Sequence, residues 1–355
     1  MTATDGGSSL RPVRGTAAEV LALLREWDAA GDPPPLVIET SGSTGRPKRV
    51  ALSRAAMRAS VHATHERLGG PGQWVLNLPP TYVAGVQVLY RSVLAGIEPV
   101  LFDNDVHDTV ITMTGSRRYI SLVPTQLERF LDNGSDSGHA GGSAVGALGR
   151  FDAVLVGGGP LRQKTRREAE SEGVRIVQTY GMSETCGGCV YDGVPLDGVG
   201  LKIDNDGQVL LCGPVLFDGY DDDPERTAEV LRDGWFHTDD LGRLDDDGRL
   251  QVTGRADGVV ISGGVKVPAP AVEEMLLEHP SVGEVAVLGV PDDEWGEIVV
   301  AVVAGRNGAV TLEELRELVS PREWAPRRMF AASSLIRLPN GKPDLVSMRR
   351  WLTDA

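Results

Sequence analysis

Leu36-Val-Ile-Glu-Thr40, continued by Ser41-Gly-Ser-Thr-Gly-Arg-Pro-Lys48, is the most informative stretch of this 355-residue chain. Its start reads as a short buried strand, and the rest as a turn of small and hydroxylated residues. Small residues in succession leave backbone N–H groups free to face an anion. Ser41, Ser43 and Thr44 can add hydroxyl donors, and Lys48 a full positive charge. Physically this is a loop for a polyphosphate. It is not the Walker arrangement, because Gly-Lys-Ser/Thr is absent and Pro47 prevents an immediate helix start.

Working outward, residues 16–30 have helical periodicity. Thr16 and Glu19 stand in capping-box register, and Val20, Leu23, Leu24 and Trp27 share one face. Further helices are expected over 53–68, over 125–131 and after the glycines Gly157, Gly158 and Gly159. Short apolar strands are expected at 74–78, 119–123, 153–156 and 175–178. Strand and helix alternate, so the fold class is α/β with a mostly parallel sheet. Residues 133–149 are dominated by Gly, Ser and Ala and read as a mobile surface connection. From about Gly198, short strands between Gly/Asp turns suggest a β-rich subdomain, with strands at 208–212 and 250–253. After Arg255 a compact α+β pattern follows. It has helices near 271–279 and from Thr311, and strands at 285–290 and 298–303.

Length supports about two domains, assigned to 1–256 and 257–355. With 35 Lys+Arg against 50 Asp+Glu the net charge is −15, which argues against a nucleic-acid surface. The three cysteines imply no disulfide framework, although Cys186-Gly-Gly-Cys189 has the spacing of a redox pair or half a zinc site. The N-terminus lacks a signal-peptide core, and no uninterrupted apolar run is long enough to insert in a membrane. The location expected by default is cytoplasmic.

Four further stretches join the phosphate loop. They are Thr179-Tyr-Gly-Met-Ser-Glu-Thr185, Trp235-Phe-His-Thr-Asp-Asp-Leu-Gly242, Gly254-Arg-Ala-Asp-Gly-Val-Val-Ile-Ser-Gly-Gly264 and Leu338-Pro-Asn-Gly-Lys342. In this order the five resemble the motifs of the adenylate-forming superfamily, which includes acyl-CoA synthetases, peptide-synthetase adenylation domains and luciferases. The resemblance implies a large N-terminal α/β domain and a small mobile C-terminal lid. It implies activation of a carboxylic acid by ATP and Mg²⁺, then transfer to coenzyme A. By analogy Glu184 holds the magnesium ion, with Thr44 nearby. Thr40, Ser41, Ser43, Thr44, Gly45 and Lys48 bind the phosphates with Thr185. Gly157, Gly158, Gly159, Thr179, Tyr180 and Gly181 line the nucleotide site, Tyr180 stacking on adenine. Asp240 corresponds to the ribose-binding aspartate, with Asp239 where the family has Gly, and Arg255 reaches ribose or phosphate. Lys342 is the catalytic lysine, Asp257 the hinge, and Ser262, Gly263 and Gly264 border the CoA tunnel. The late start implies a trimmed N-terminal portion, and the family's habit allows a homodimer.

Each part also has a chemical reason. A carboxylate attacking the α-phosphate brings two anions together, so a metal ion and cations are needed there. One carboxylate with nucleotide oxygens and waters is a common way to hold Mg²⁺. Two passages, Leu78-Pro-Pro-Thr-Tyr-Val-Ala-Gly-Val-Gln-Val-Leu-Tyr-Arg91 and Ser121-Leu-Val-Pro-Thr-Gln-Leu127, resemble o-succinylbenzoate–CoA ligases of menaquinone biosynthesis. Tyr82, Val83, Gly85 and Thr125 are candidates for the acid pocket, and Arg91 for an anchor or a helix-surface residue. Another aryl or fatty acid, a carrier-protein acceptor, and a silent nucleotide-binding paralogue are the alternatives.

Overall fold

The computed structural model describes residues 10–40, 48–103, 105–132, 144–255, 258–305, 310–337 and 343–353. The strand entering the phosphate loop is Leu36–Thr40, and its first three residues are buried. It turns back antiparallel onto Lys48–Leu52, with Thr40 opposite Lys48. Gly219–Tyr220 adds a third strand beside Lys48–Leu52. Thr40 and Lys48, the two residues that flank the loop motif, therefore stand opposite each other, and Lys48 is the first residue of the return strand. Ser53 caps the following helix, Arg54–Arg67, by accepting from Ala56 N–H.

The central sheet has seven strands. Their order is Val100–Leu101, Gln73–Leu76, Arg118–Leu122, Ala153–Val156, Ile176–Met182, Gly187–Tyr191 and Val194–Pro195. The first five run parallel. The last two are antiparallel. Alternation sorts the side chains between two cores. Trp74, Leu76, Tyr119 and Leu155 pack with Val20, Leu24 and Trp27 of helix Ala17–Ala29, whose Thr16–Glu19 capping box is formed. Val75, Ile120, Val154 and Val156 pack on the other face with Leu127, Leu148 and Ala169. Each fully buried aliphatic side chain contributes about 1.5–3 kcal/mol.

Two expectations change. Within 133–149, Ala144–Leu148 is a helix whose Val145, Ala147 and Leu148 are buried in the second core. Those apolar residues were obscured by their Gly/Ser neighbours, and 133–143 lie outside the described residues. The strand expected at 175–178 continues to Met182, because Thr179 and Tyr180 pair with Tyr191 and Val190. The β-rich texture after Gly198 is real: Gly200–Ile203, Gln208–Cys212, Trp235–Leu244, Leu231–Arg232 and Leu250–Arg255 form a five-stranded sheet.

The chain divides into two compact units. One comprises Met1–Lys202, Leu210–His237 and Asp245–Leu250; the other comprises Ile203–Val209, Thr238–Leu244 and Gln251–Ala355. In the second unit the hairpin Val282–Asp292/Gly296–Gly305 is flanked by Val259–Ser262 with Val265–Pro268 and by the parallel strand Arg328–Ala332. Val285, Val287, Val299 and Ala301 face helix Ala269–Leu276, whereas Leu288, Val300 and Val302 face Met348 and Leu352 of helix Leu345–Thr353. Thr311 and Glu314 form their capping box. Among the described residues, no helix is long and apolar enough to cross a membrane.

Arg91 is a core residue, which removes its helix-surface reading. It is 3% exposed, lies 4.7 Å over the Trp74 ring, and reaches the hydroxyls of Thr64 at 3.3 Å and Tyr191 at 3.5 Å. Its charge and the surrounding burial act on His65. Burial first, then Arg91, lowers the His65 pKa from 6.5 to about 4. Between those values the unfolded chain binds a proton that the folded chain refuses, so stability is present above the window and lost as pH falls through it. We expect a urea titration series from about pH 7 to about pH 4.5 to show this loss, and His65→Gln to recover about 1–3 kcal/mol of it. An identical pH slope in the variant would exclude His65 as the source.

Candidate active site

Four parallel strands end on one edge of the central sheet: Gln73–Leu76, Arg118–Leu122, Ala153–Val156 and Ile176–Met182. In open α/β sheets, ligands lie outside such carboxyl ends. Each strand here leads into residues singled out from the sequence. Tyr82, Val83 and Gly85 follow the first, Thr125 the second, and Gly157 to Gly159 the third. Thr179, Tyr180 and Gly181 belong to the fourth, which runs directly into Glu184.

Close backbone approach explains the glycines. A Cβ on Gly157 would stand 2.2 Å from Thr179 Oγ1, and one on Gly181 only 2.1 Å from the Gly187 carbonyl oxygen. Gly158 has φ +77°, and its Cβ direction points to Val123 at 3.6 Å; Gly159 faces the Pro124 ring at 3.8 Å. The three glycines thus run between Thr179 and the start of helix Pro124–Asp132, where Thr125 sits. Gly85 allows helix Val83–Ala95 to start against Pro79, whose carbonyl oxygen would be 2.0 Å from an added Cβ. Packing therefore accounts for Gly85 without a ligand. Val83 lies beside Gly187, and Tyr82 is 51% exposed.

Glu184 sits in a single 3-10 turn, Ser183–Thr185. Thr185 is fully buried and holds that turn: its hydroxyl receives Met182 N–H at 2.9 Å and donates to the Gly187 carbonyl at 2.7 Å. Cys186 adopts φ +52°, and its carbonyl accepts from Gln87 Nε2 at 2.7 Å and Ser60 Oγ at 3.1 Å. Burial pushes the Cys189 thiol up to about 12 and Cys186 higher still, so both are neutral and unsuited to thiolate chemistry.

Glu184 is 6% exposed. Its Oε1 accepts from the Tyr220 hydroxyl at 2.9 Å, and its carbonyl oxygen accepts from Phe217 N–H at 2.9 Å. A buried carboxylate with one hydroxyl partner and no ion pair among the described residues fits a hard cation. No cluster of three metal-binding side chains occurs among the described residues, so other oxygen ligands would have to come from nucleotide and water. Lys48 Nζ lies 5.7 Å from the Tyr220 ring centroid, which brings the end of the phosphate motif and the Glu184 motif onto one aromatic residue. Sequence reasoning missed Tyr220. A tyrosine in the Gly/Asp-rich run Phe217-Asp-Gly-Tyr-Asp221 carries no phosphate or acid signature, and only strand pairing places it here. Ser41, Ser43, Thr44 and Gly45 lie outside the described residues.

In the second unit, Asp240 is 8% exposed, and Arg255 reaches it at 3.5 Å and Asp239 at 3.3 Å. Thr238 organises this strand: its hydroxyl donates to the Val209 carbonyl at 2.8 Å and accepts from Asp240 N–H at 3.0 Å. Asp239, which departs from the family's Gly, thus places a second carboxylate on Arg255. Ser262 pairs with Val265 across Gly263 and Gly264, whose φ of +58° and +82° are those a tight hairpin turn requires. Trp295 packs against Gly263 so closely that a Cβ there would meet the indole at 2.4 Å. Asp257 and Lys342 lie outside the described residues.

Comparison with known proteins agrees with this layout. Residues 15–220 match the family described as AMP-binding enzyme, and residues 271–342 match the AMP-binding enzyme C-terminal domain. A "Probable 2-succinylbenzoate--CoA ligase" of Mycobacterium tuberculosis is 43% identical over 351 residues, covering 95% of this chain and 89% of that protein. A 2-succinylbenzoate–CoA ligase of Listeria monocytogenes is 33% identical, covering 85% of this chain and 66% of its own. Among solved structures, the o-succinylbenzoate CoA synthetase of Bacillus subtilis in complex with the acyl-adenylate OSB-AMP aligns with TM-score 0.76 and 28% identity, over 90% of this chain and 69% of that one. An amide bond synthetase of Marinactinospora thermotolerans aligns with TM-score 0.74 and 31% identity, over 89% and 69%. This chain belongs to the AMP-binding enzyme family.

Proposed function

We propose that this protein is an ATP-dependent o-succinylbenzoate–CoA ligase of menaquinone biosynthesis. It joins o-succinylbenzoate to ATP with release of pyrophosphate, then transfers the acyl group from AMP to coenzyme A. The observation that carries the reading is 43% identity to the mycobacterial ligase across 95% of the chain. The buried Glu184, bound by Tyr220 whose ring lies near Lys48, supports it from the carboxyl edge of a parallel sheet.

In this reading the hairpin closed by Thr40 and Lys48 takes the phosphates, with Ser41, Ser43, Thr44 and Gly45 as donors and Lys48 offsetting charge. Thr185 shapes the turn that presents Glu184. Magnesium held by Glu184 neutralises charge on the phosphate oxygens when bound. The segment from Gly157 to Gly159, with Thr179, Tyr180 and Gly181, receives the nucleoside, and Asp240 with Arg255 takes the ribose. Val83, Tyr82 and Thr125 border the acid, and Gly85 lets their helix approach. Lys342, carried on a domain spanning 257–355 that turns about Asp257, orients the carboxylate for attack. In the other orientation the turn at Ser262, Gly263 and Gly264 admits the pantetheine chain. The family resemblance supports a cytoplasmic homodimer.

The direct test incubates purified protein with ATP, Mg²⁺ and o-succinylbenzoate and measures pyrophosphate. Release is expected, with the CoA thioester appearing once CoA is added; turnover only with fatty or benzoic acids would refute the substrate. The likeness to an amide bond synthetase makes an amine the second acceptor to try, and amide without thioester would decide for that reading. Lys342→Ala is expected to slow adenylation at least about 100-fold while sparing thioester formation from supplied acyl-adenylate. Equal loss in both half-reactions would remove the lysine from the first step.

A further inference from the structure

The segment 217–220 ties Glu184 at two points. Phe217 N–H binds the Glu184 carbonyl oxygen, and the Tyr220 hydroxyl binds carboxylate Oε1. Tyr220 is itself fixed by the sheet, opposite Val50 in the return strand of the phosphate hairpin. Phe217 packs against its ring at 5.0 Å between centroids, and Thr227 Oγ1 accepts its backbone N–H at 2.8 Å. Two cations lie over the same ring, Lys48 at 5.7 Å and the Arg226 guanidinium at 5.4 Å. A carboxylate oxygen accepts, so at 2.9 Å the phenol hydroxyl is the donor to Oε1.

A carboxylate has two oxygens, and an unrestrained one rotates between them. Here Oε1 is occupied by Tyr220, and among the described residues Oε2 accepts no hydrogen bond. We propose that Tyr220 is a positioning residue for the reaction's metal ion: its hydroxyl pins Glu184 Oε1 so that Oε2 is presented to the cation, and its ring registers Lys48 to the same point. The inference rests on Glu184 as the metal ligand. It adds that the carboxylate is preorganised by a residue outside the five stretches quoted from the sequence, within one patch formed by the strand Lys48–Leu52, the 3-10 turn and the segment 217–220.

The test measures Mn²⁺ binding by electron paramagnetic resonance to the full-length protein with α,β-methylene-ATP, which does not react. Tyr220→Phe keeps the ring and its cations and removes only the hydroxyl. It is expected to weaken Mn²⁺ retention about tenfold while leaving affinity for the metal-free analogue unchanged. Glu184→Asp shortens the side chain away from the hydroxyl and should show a similar loss, which keeps the test decisive if Tyr220→Phe does not fold. In a Glu184→Gln background the Tyr220→Phe effect should vanish. Unchanged Mn²⁺ binding in Tyr220→Phe, alongside loss in Glu184→Gln, overturns the positioning role and leaves Glu184 as the ligand. Unchanged binding in Glu184→Gln overturns both. Equal weakening of metal and metal-free nucleotide would mean that Tyr220 shapes the pocket generally, and the inference would fail.

Discussion

A buried carboxylate with no ion pair among the described residues is the constraint on which this site depends. Glu184 is nearly inaccessible, and its carboxylate accepts from the Tyr220 hydroxyl. Removing a charge from water is costly unless something compensates it. The fold supplies partial compensation: a phenol hydrogen bond and cations over the same aromatic ring. The negative overall charge of −15 gives this local arrangement its meaning. Under the proposed function, a polyanionic substrate would be met by local N–H groups, a few cations and a metal ion within a chain of net negative charge.

Holding that carboxylate in place requires backbone segments to come unusually close. Gly181 lies against the Gly187 carbonyl, Gly157 against Thr179, and Gly85 against Pro79, at separations no Cβ would tolerate. These contacts draw together the segments that follow the parallel strands. Glycines confined by packing differ from glycines in open space. In the second unit, Gly263 is confined by Trp295, whose ring is covered by the Arg327 guanidinium at 3.6 Å, whereas Gly264 has no neighbour within 4 Å. One glycine of the turn anchors it, and the other stays open.

Local periodicity was a good guide wherever local forces decide. The Thr16 and Thr311 capping boxes form as their spacing indicates, and strand Ala153–Val156 has the expected limits. Composition misled where a few apolar residues hid among Gly and Ser, as at Ala144–Leu148. It also said nothing of the direction in which Leu36–Thr40 would pair, since an apolar strand reads alike in parallel and antiparallel settings. Arg91 shows the same limit: one helix face of α-helical spacing does not reveal what packs over it, and here Trp74, Thr64 and Tyr191 do.

By itself the sequence determined the superfamily, the order of its motifs and the chemistry each motif can perform, because those depend on residue type and short spacing. It placed Lys48, Glu184, Asp240 and Arg255 among the functional candidates on that basis. Only the tertiary structure decided that Lys48 begins a strand, that the Thr185 hydroxyl holds a turn, and that Tyr220 lies against both Lys48 and Glu184. The reason is physical. Residues 48, 184 and 220 are far apart along the chain, and their meeting depends on strand pairing and burial that no local pattern encodes.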